Sequence, residues 1–123
     1  GAVRSRVRQA KHTHRQRGYE IQDAQRQTRQ DTVSKWEEWQ AAKAEILSRK
    51  AQVDAAKVAR EGVHAEADIG SRTILDTLDA DQEYTDAQAA LITAKRNEAV
   101  ARFALGKALG ILRPEALDLP ETR

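Results

Sequence analysis

From residue 80 onward the chain repeats itself every seven residues. Ala80, Ala87, Ala94, Ala101 and Ala108 fill one position of the repeat without a miss. Tyr84, Leu91, Leu105 and Leu112 fill the companion position, interrupted by Glu98. Apolar residues at alternating steps of three and four make a single stripe on a helix, and a strict seven-residue period predicts a left-handed coiled-coil seam. Alanine at one seam position lets the partner backbone approach closely. The partner stripe lies upstream, in Trp39, Ala42, Ile46, Val53, Ala56, Val63 and Ala67, broken by Arg49 and Arg60. Farther back the pattern thins. Val3, Val7, Ala10, Ile21 and Ala24 are spread among eight Arg and Lys residues before Asp31.

The breaks in the chain are few. Both prolines, Pro114 and Pro120, lie in the last ten residues, so nothing earlier forbids a helix through a closed ring or a missing donor. Gly70, within Asp68-Ile69-Gly70-Ser71-Arg72-Thr73, reads as a true interruption. A glycine takes positive φ at a helix C-terminus, Ser71 or Thr73 can cap the next helix, and Thr73 with Asp76 fits the acidic form of a capping box. The expected fold is all-α: a helix from about 3 to 68, a tip turn at 69–72, a helix from about 73 to 112, and a tail at 113–123. So short a turn predicts an antiparallel hairpin with unequal arms. At 1.5 Å per residue the arms measure roughly 100 Å and roughly 60 Å. The shorter arm covers the longer only back to about Gln30. The first 25 or so residues are left without a partner, which suggests a fragment of something larger.

Composition agrees with helices and argues against a globule. Of 123 residues, 40% are hydrophobic, but 22 of these are alanines that bury little area, and 33% are charged. With no cysteine, neither a disulfide framework nor a thiolate metal site is available. The apolar runs are only a few residues long, too short for a membrane-spanning helix or a secretory signal.

Candidate chemistry is sparse. Asp76, Asp79, Glu83 and Asp86 step by three, four and three, so they share one face of the second helix. Such a stripe is either a solvated surface or an acidic wall facing cations or water. His12 and His14 point about 200° apart on a helix and cannot share a metal, and His64 stands alone as an expected solvated side chain. Trp36 and Trp39, three apart, are expected packing anchors. Arg4, Arg6, Arg8, Lys11, Arg15 and Arg17 could neutralise phosphates, but Tyr19 is the only interleaved aromatic. No phosphate loop, nucleophile elbow or zinc signature occurs, so neither an enzyme nor a cofactor or metal site is expected.

Residues 62–112 closely resemble the second-repeat tip and following helix of the TolC family of outer-membrane efflux and type I secretion channels. The residues that carry the resemblance are Gly70-Ser71-Arg72-Thr73-Ile74-Leu75-Asp76-Thr77-Leu78-Asp79-Ala80, then Tyr84, Ala87, Leu91, Ala94, Ala101, Leu105, Leu109 and Gly110-Ile111-Leu112. Upstream, Val7-Arg8-Gln9-Ala10, Trp36 and Val53-Asp54-Ala55-Ala56 look like the family's long helix. The resemblance implies a homotrimeric duct in the bacterial outer membrane, with this segment in its periplasmic α-barrel. It also implies that Asp76 and Asp79 form an acidic ring at the entrance, with Glu83 and Asp86 further along the lumen. Arg72 and Thr73 would take part in tip closure. Ile69, Gly70 and Ser71 would meet a periplasmic adaptor (membrane fusion) protein, with an inner-membrane transporter acting indirectly and no nucleic acid involved. Where the family often has a tyrosine three residues before the tip glycine, this chain has Ala67, which leaves Glu66 or Asp68 to take its place. The alternative is a cytosolic coiled-coil binding module that uses its basic arm on nucleic acid.

Overall fold

The computed structural model describes residues 1–112, and these form an antiparallel helical hairpin. Helix α1 runs Ala2–Asp68 and helix α2 runs Ile74–Leu112. The described residues include no strand, so the all-α hairpin expected from the sequence is the fold found. No described helix is long and apolar enough to cross a membrane.

The seam follows the seven-residue period. On α2 the less exposed positions include Thr77, Ala80, Tyr84, Ala87, Leu91, Ala94, Glu98, Ala101, Leu105 and Ala108. On α1 they include Thr32, Lys35, Trp39, Ala42, Ile46, Arg49, Val53, Ala56, Arg60, Val63 and Ala67. Few of these are fully buried. Ala80, Ala94, Leu105 and Ala108 form the apolar core, joined by Thr32, whose hydroxyl donates to the Thr28 carbonyl at 2.9 Å. A two-helix seam has solvent on both flanks, so most seam side chains stay part-exposed and even the core residues keep 3–8% of their surface in water.

Two of the polar interruptions of the stripe carry cross-helix bonds. Trp39 Nε1 donates to Glu98 Oε1 at 3.0 Å, which places the carboxylate that breaks the α2 stripe against the aromatic anchor of α1. Lys43 Nζ lies 3.8 Å from the centre of the Trp39 ring, and Arg102 Nε lies 3.4 Å from Glu98 Oε1. Arg60 reaches Asp81 on α2. Arg49 instead turns along its own helix to Glu45 at 2.8 Å and Gln52 at 2.9 Å.

Two features lie outside the seam. Residues 1–27 are exposed throughout, as expected of an arm that outruns its partner. Trp36, Leu47 and Val58 on α1 and Ile69 at its C-cap are also exposed, at successive steps of eleven residues. Eleven residues make three turns at 3.67 per turn, so the four keep to one side of a nearly straight helix. Trp36 therefore belongs to this outer stripe, and of the two tryptophans only Trp39 anchors the seam. Three residues cover about 300° of rotation, enough to carry Trp36 off the seam.

Candidate functional site

The tip is closed by its own backbone. Gly70 has φ +81°, the left-handed conformation that an L side chain resists. That single residue turns the Ser71 amide back to the Glu66 carbonyl at 2.8 Å and the Gly70 amide to the Ala67 carbonyl at 3.0 Å. These are the two bonds of a Schellman motif, and they satisfy carbonyls left open at the end of α1. A Cβ on Gly70 would meet nothing within 4 Å. Gly70→Ala should therefore cost only the backbone conformation, about 1–2 kcal/mol, read as a lower urea midpoint with unchanged helix content in the folded state.

Three residues on, Thr73 caps α2. The Asp76 amide donates to Thr73 Oγ1 at 3.2 Å and the Thr73 amide donates to Asp76 Oδ2 at 3.1 Å. This is the reciprocal box that the sequence spacing suggested, with aspartate in place of the usual glutamate. The Thr73 amide first, then the Thr73 hydroxyl and the Arg72 charge, hold the Asp76 carboxyl below the usual carboxylate range. The group at this position is an anion at the positive end of a helix.

Arg72 bridges the turn. Its Nε donates to Glu66 Oε2 at 2.6 Å, and this bond first, then the Glu66 charge, pushes the guanidinium pKa further up. Glu66, one residue before the position where the family often has tyrosine, is thus the carboxylate that engages the tip arginine within the same hairpin. Both side chains remain about half exposed.

The four acids of α2 differ in setting. Asp76 is half-buried in the cap, while Asp79, Glu83 and Asp86 are exposed. Each directly precedes a seam residue (Thr77, Ala80, Tyr84 and Ala87), so the stripe flanks the seam along one side of α2. Asp86 accepts from Gln82 Nε2 at 2.8 Å. Around these acids the tip is apolar and open: Ile69 is 80% exposed and Ile74 79%, with Leu75 and Leu78 also exposed. Gly70, Ser71, Arg72 and Thr73 are exposed as well.

One cluster was not anticipated. Asp81, on the other side of α2, accepts from Arg60 Nε at 2.6 Å and from His64 Nε2 at 2.7 Å, both at Oδ1. His64 was expected to be solvated alone. Instead it stands one turn after Arg60, and both point across the seam. The sequence signal was the four-residue step from Arg60 to His64, but their shared partner lies on the other helix. His12 and His14 are both exposed. Among the described residues, no group of three or more His, Cys, Asp or Glu side chains could hold a metal ion.

Comparison with known proteins agrees with this architecture. The family model described as outer membrane efflux protein matches residues 1–111. The outer membrane efflux protein BepC of Brucella suis biovar 1 (strain 1330) is 33% identical over 119 residues, 97% of this chain and 26% of its own length. The outer membrane protein TolC of Escherichia coli (strain K12) is 28% identical over 117 residues, 95% of this chain and 24% of its own length. The chain thus spans about a quarter of the length of the curated relatives it matches. No solved structure matches it significantly. A match this broad displaces the reading as a cytosolic nucleic-acid-binding module: the chain belongs to the outer membrane efflux protein family, as a TolC-like helical hairpin.

Proposed function

We propose that this hairpin is the tip segment of the periplasmic α-barrel in a trimeric outer-membrane channel for efflux or type I secretion. Its work is passive: it lines and gates a duct and performs no catalysis. The observation that carries the proposal is the tip. A Schellman turn and a capping box fix the loop, and Asp76 and Asp79 leave α2 within its first two turns. Three hairpins around a common axis would bring two carboxylates each to the narrowest point, an arrangement that favours cations. Glu83 and Asp86 would continue the acidic face up the lumen.

The outer stripe supports assembly. Trp36, Leu47, Val58 and Ile69 have no partner within the hairpin, and one apolar side on a long helix suits packing against a neighbouring helix of the barrel. At the end of the hairpin, Ile69, Gly70 and Ser71 form the contact for a periplasmic adaptor, through which an inner-membrane transporter is coupled. The exposed Ile74 and Leu75 enlarge that surface.

Arg72 and Thr73 are the closure residues in this reading. Arg72 is already engaged by Glu66, with its remaining guanidinium nitrogens available to a neighbouring hairpin. In the full-length parent, Arg72→Ala should loosen the closed entrance and raise single-channel conductance in planar bilayers, while the hairpin itself stays folded. Conductance indistinguishable from wild type would remove Arg72 from the gate.

A further inference from the structure

We propose that the stretch of the hairpin from Arg60 to Tyr84 is held together by a polar latch centred on Asp81, and that it can part while the rest of the seam stays paired. The inference goes beyond the channel reading and does not depend on it, since it concerns how the two helices adhere to one another.

Three observations carry it. The first is the convergence of Arg60 and His64, one helical turn apart on α1, on a single carboxylate oxygen of α2 at 2.6 and 2.7 Å. The Tyr84 ring lies beneath the Arg60 guanidinium, 5.6 Å from its carbon to the ring centre, and fixes the approach from the α2 side. The second is the distribution of apolar burial. Leu105 and Ala108 lie toward the far end of the seam and Ala94 at its middle, whereas Ala80 alone is buried near the tip. Val63, Ala67 and Thr77 complete the seam there and are only half-buried. Little apolar area is removed from water in this stretch, so the hydrophobic contribution to pairing is correspondingly small. The third is Gly62, inside α1 between the two latch donors, with open space where a Cβ would be. Glycine is a weaker helix former than alanine, so the backbone is more easily loosened where the latch grips it.

Arg60 and His64 face Asp81 from α1, with Glu61 beside Arg60, and Tyr84 stands one turn along α2. The bond from His64 first, then that from Arg60, holds the Asp81 carboxyl below the usual carboxylate range. A carboxylate whose pKa is depressed by folding contributes stability above its unfolded pKa and loses it as the pH falls through the folded one. The latch is therefore closed at neutral pH and opens in strong acid. The His64 contact needs a proton on Nε2, which both one neutral tautomer and the imidazolium carry.

Hydrogen exchange read by mass spectrometry on the full-length protein at pH 7 tests the latch. Asp81→Asn should speed exchange about tenfold or more for amides within residues 60–84, while segments around Trp39 and Leu105 keep wild-type rates. Arg60→Met should do the same. Wild type in 1 M salt, where the screening length is about 3 Å, should move part of the way. Trp39→Phe, which cuts the other polar bond of the seam, should leave residues 60–84 unchanged. Should Asp81→Asn fail to fold, Arg60→Met and the salt series decide. Equal acceleration along both helices would show that the hairpin opens as one unit and overturn the proposal. Wild-type exchange at 60–84 in the variants would overturn it equally.

Discussion

Combining Asp76→Ala with Asp79→Ala should strip most of the cation preference from the reconstituted full-length channel. It should also raise the concentration of divalent or trivalent cation needed to block it by roughly tenfold or more. The effect is electrostatic. A narrow opening lined by one sign of charge concentrates counter-ions by one to three orders of magnitude, and hard multivalent cations gain most from clustered carboxylates. Asp79 is free in solvent, whereas Asp76 is also half of the capping box. The double variant therefore removes a bond from the start of α2. Thr73 Oγ1 still accepts the amide of residue 76, so circular dichroism should report the same helix content. The Asp76 carboxyl, held below the usual carboxylate range first by its bonds to Thr73, offers a second test. As the pH falls through that value, a carboxylate that had stayed ionised gains a proton, and blockade by cations should weaken. Full blockade in the double variant would turn these carboxylates away from the lumen.

Ala94→Leu should destabilise the hairpin by about 1–3 kcal/mol, the usual cost of inserting bulk into a packed position. Ala94 is 3% exposed, the least of the core residues, at the middle of the α2 seam. A leucine there must either leave its preferred rotamer or push α1 away, and separation would stretch the nearby Trp39–Glu98 bond. Urea unfolding followed by circular dichroism gives the comparison. Ala89→Leu, on the exposed side of the same helix, should change the midpoint little. If both variants behave alike, close approach at the alanine seam contributes nothing to pairing.

The regular part of this fold was legible because it is written in local periodicity. The alanine heptads of α2 placed its seam, Gly70 marked the end of α1, and the Thr73–Asp76 spacing described the cap, each within a window of a few residues. The expected acids at 76, 79, 83 and 86 share a face for the same reason. What stayed hidden depends on register between distant segments. Glu98 read as a flaw in the stripe until Trp39, 59 residues earlier, came to stand opposite it. Asp81 attracted no notice because its partners lie 21 and 17 residues upstream on the other arm. The Arg72–Glu66 pair spans the turn itself, and its geometry follows only once the positive φ of Gly70 fixes the path of the chain. A polar residue within a heptad is ambiguous on sequence alone, since it can mark either a gap in the seam or a fastening across it.

The turn has one more consequence, for whatever meets it. The amides of Gly70, Ser71 and Thr73 are all engaged within the loop, by Ala67, Glu66 and Asp76. An incoming chain cannot use these three donors to read the loop by main-chain pairing. It meets instead the bare side chains of Ile69, Ser71, Ile74 and Leu75. Contacts of that kind discriminate by shape and greasiness rather than by hydrogen-bond pattern, and they tolerate changes in the visitor so long as the contour survives. A tip built this way offers a contour, not a backbone pattern, to whatever packs against it.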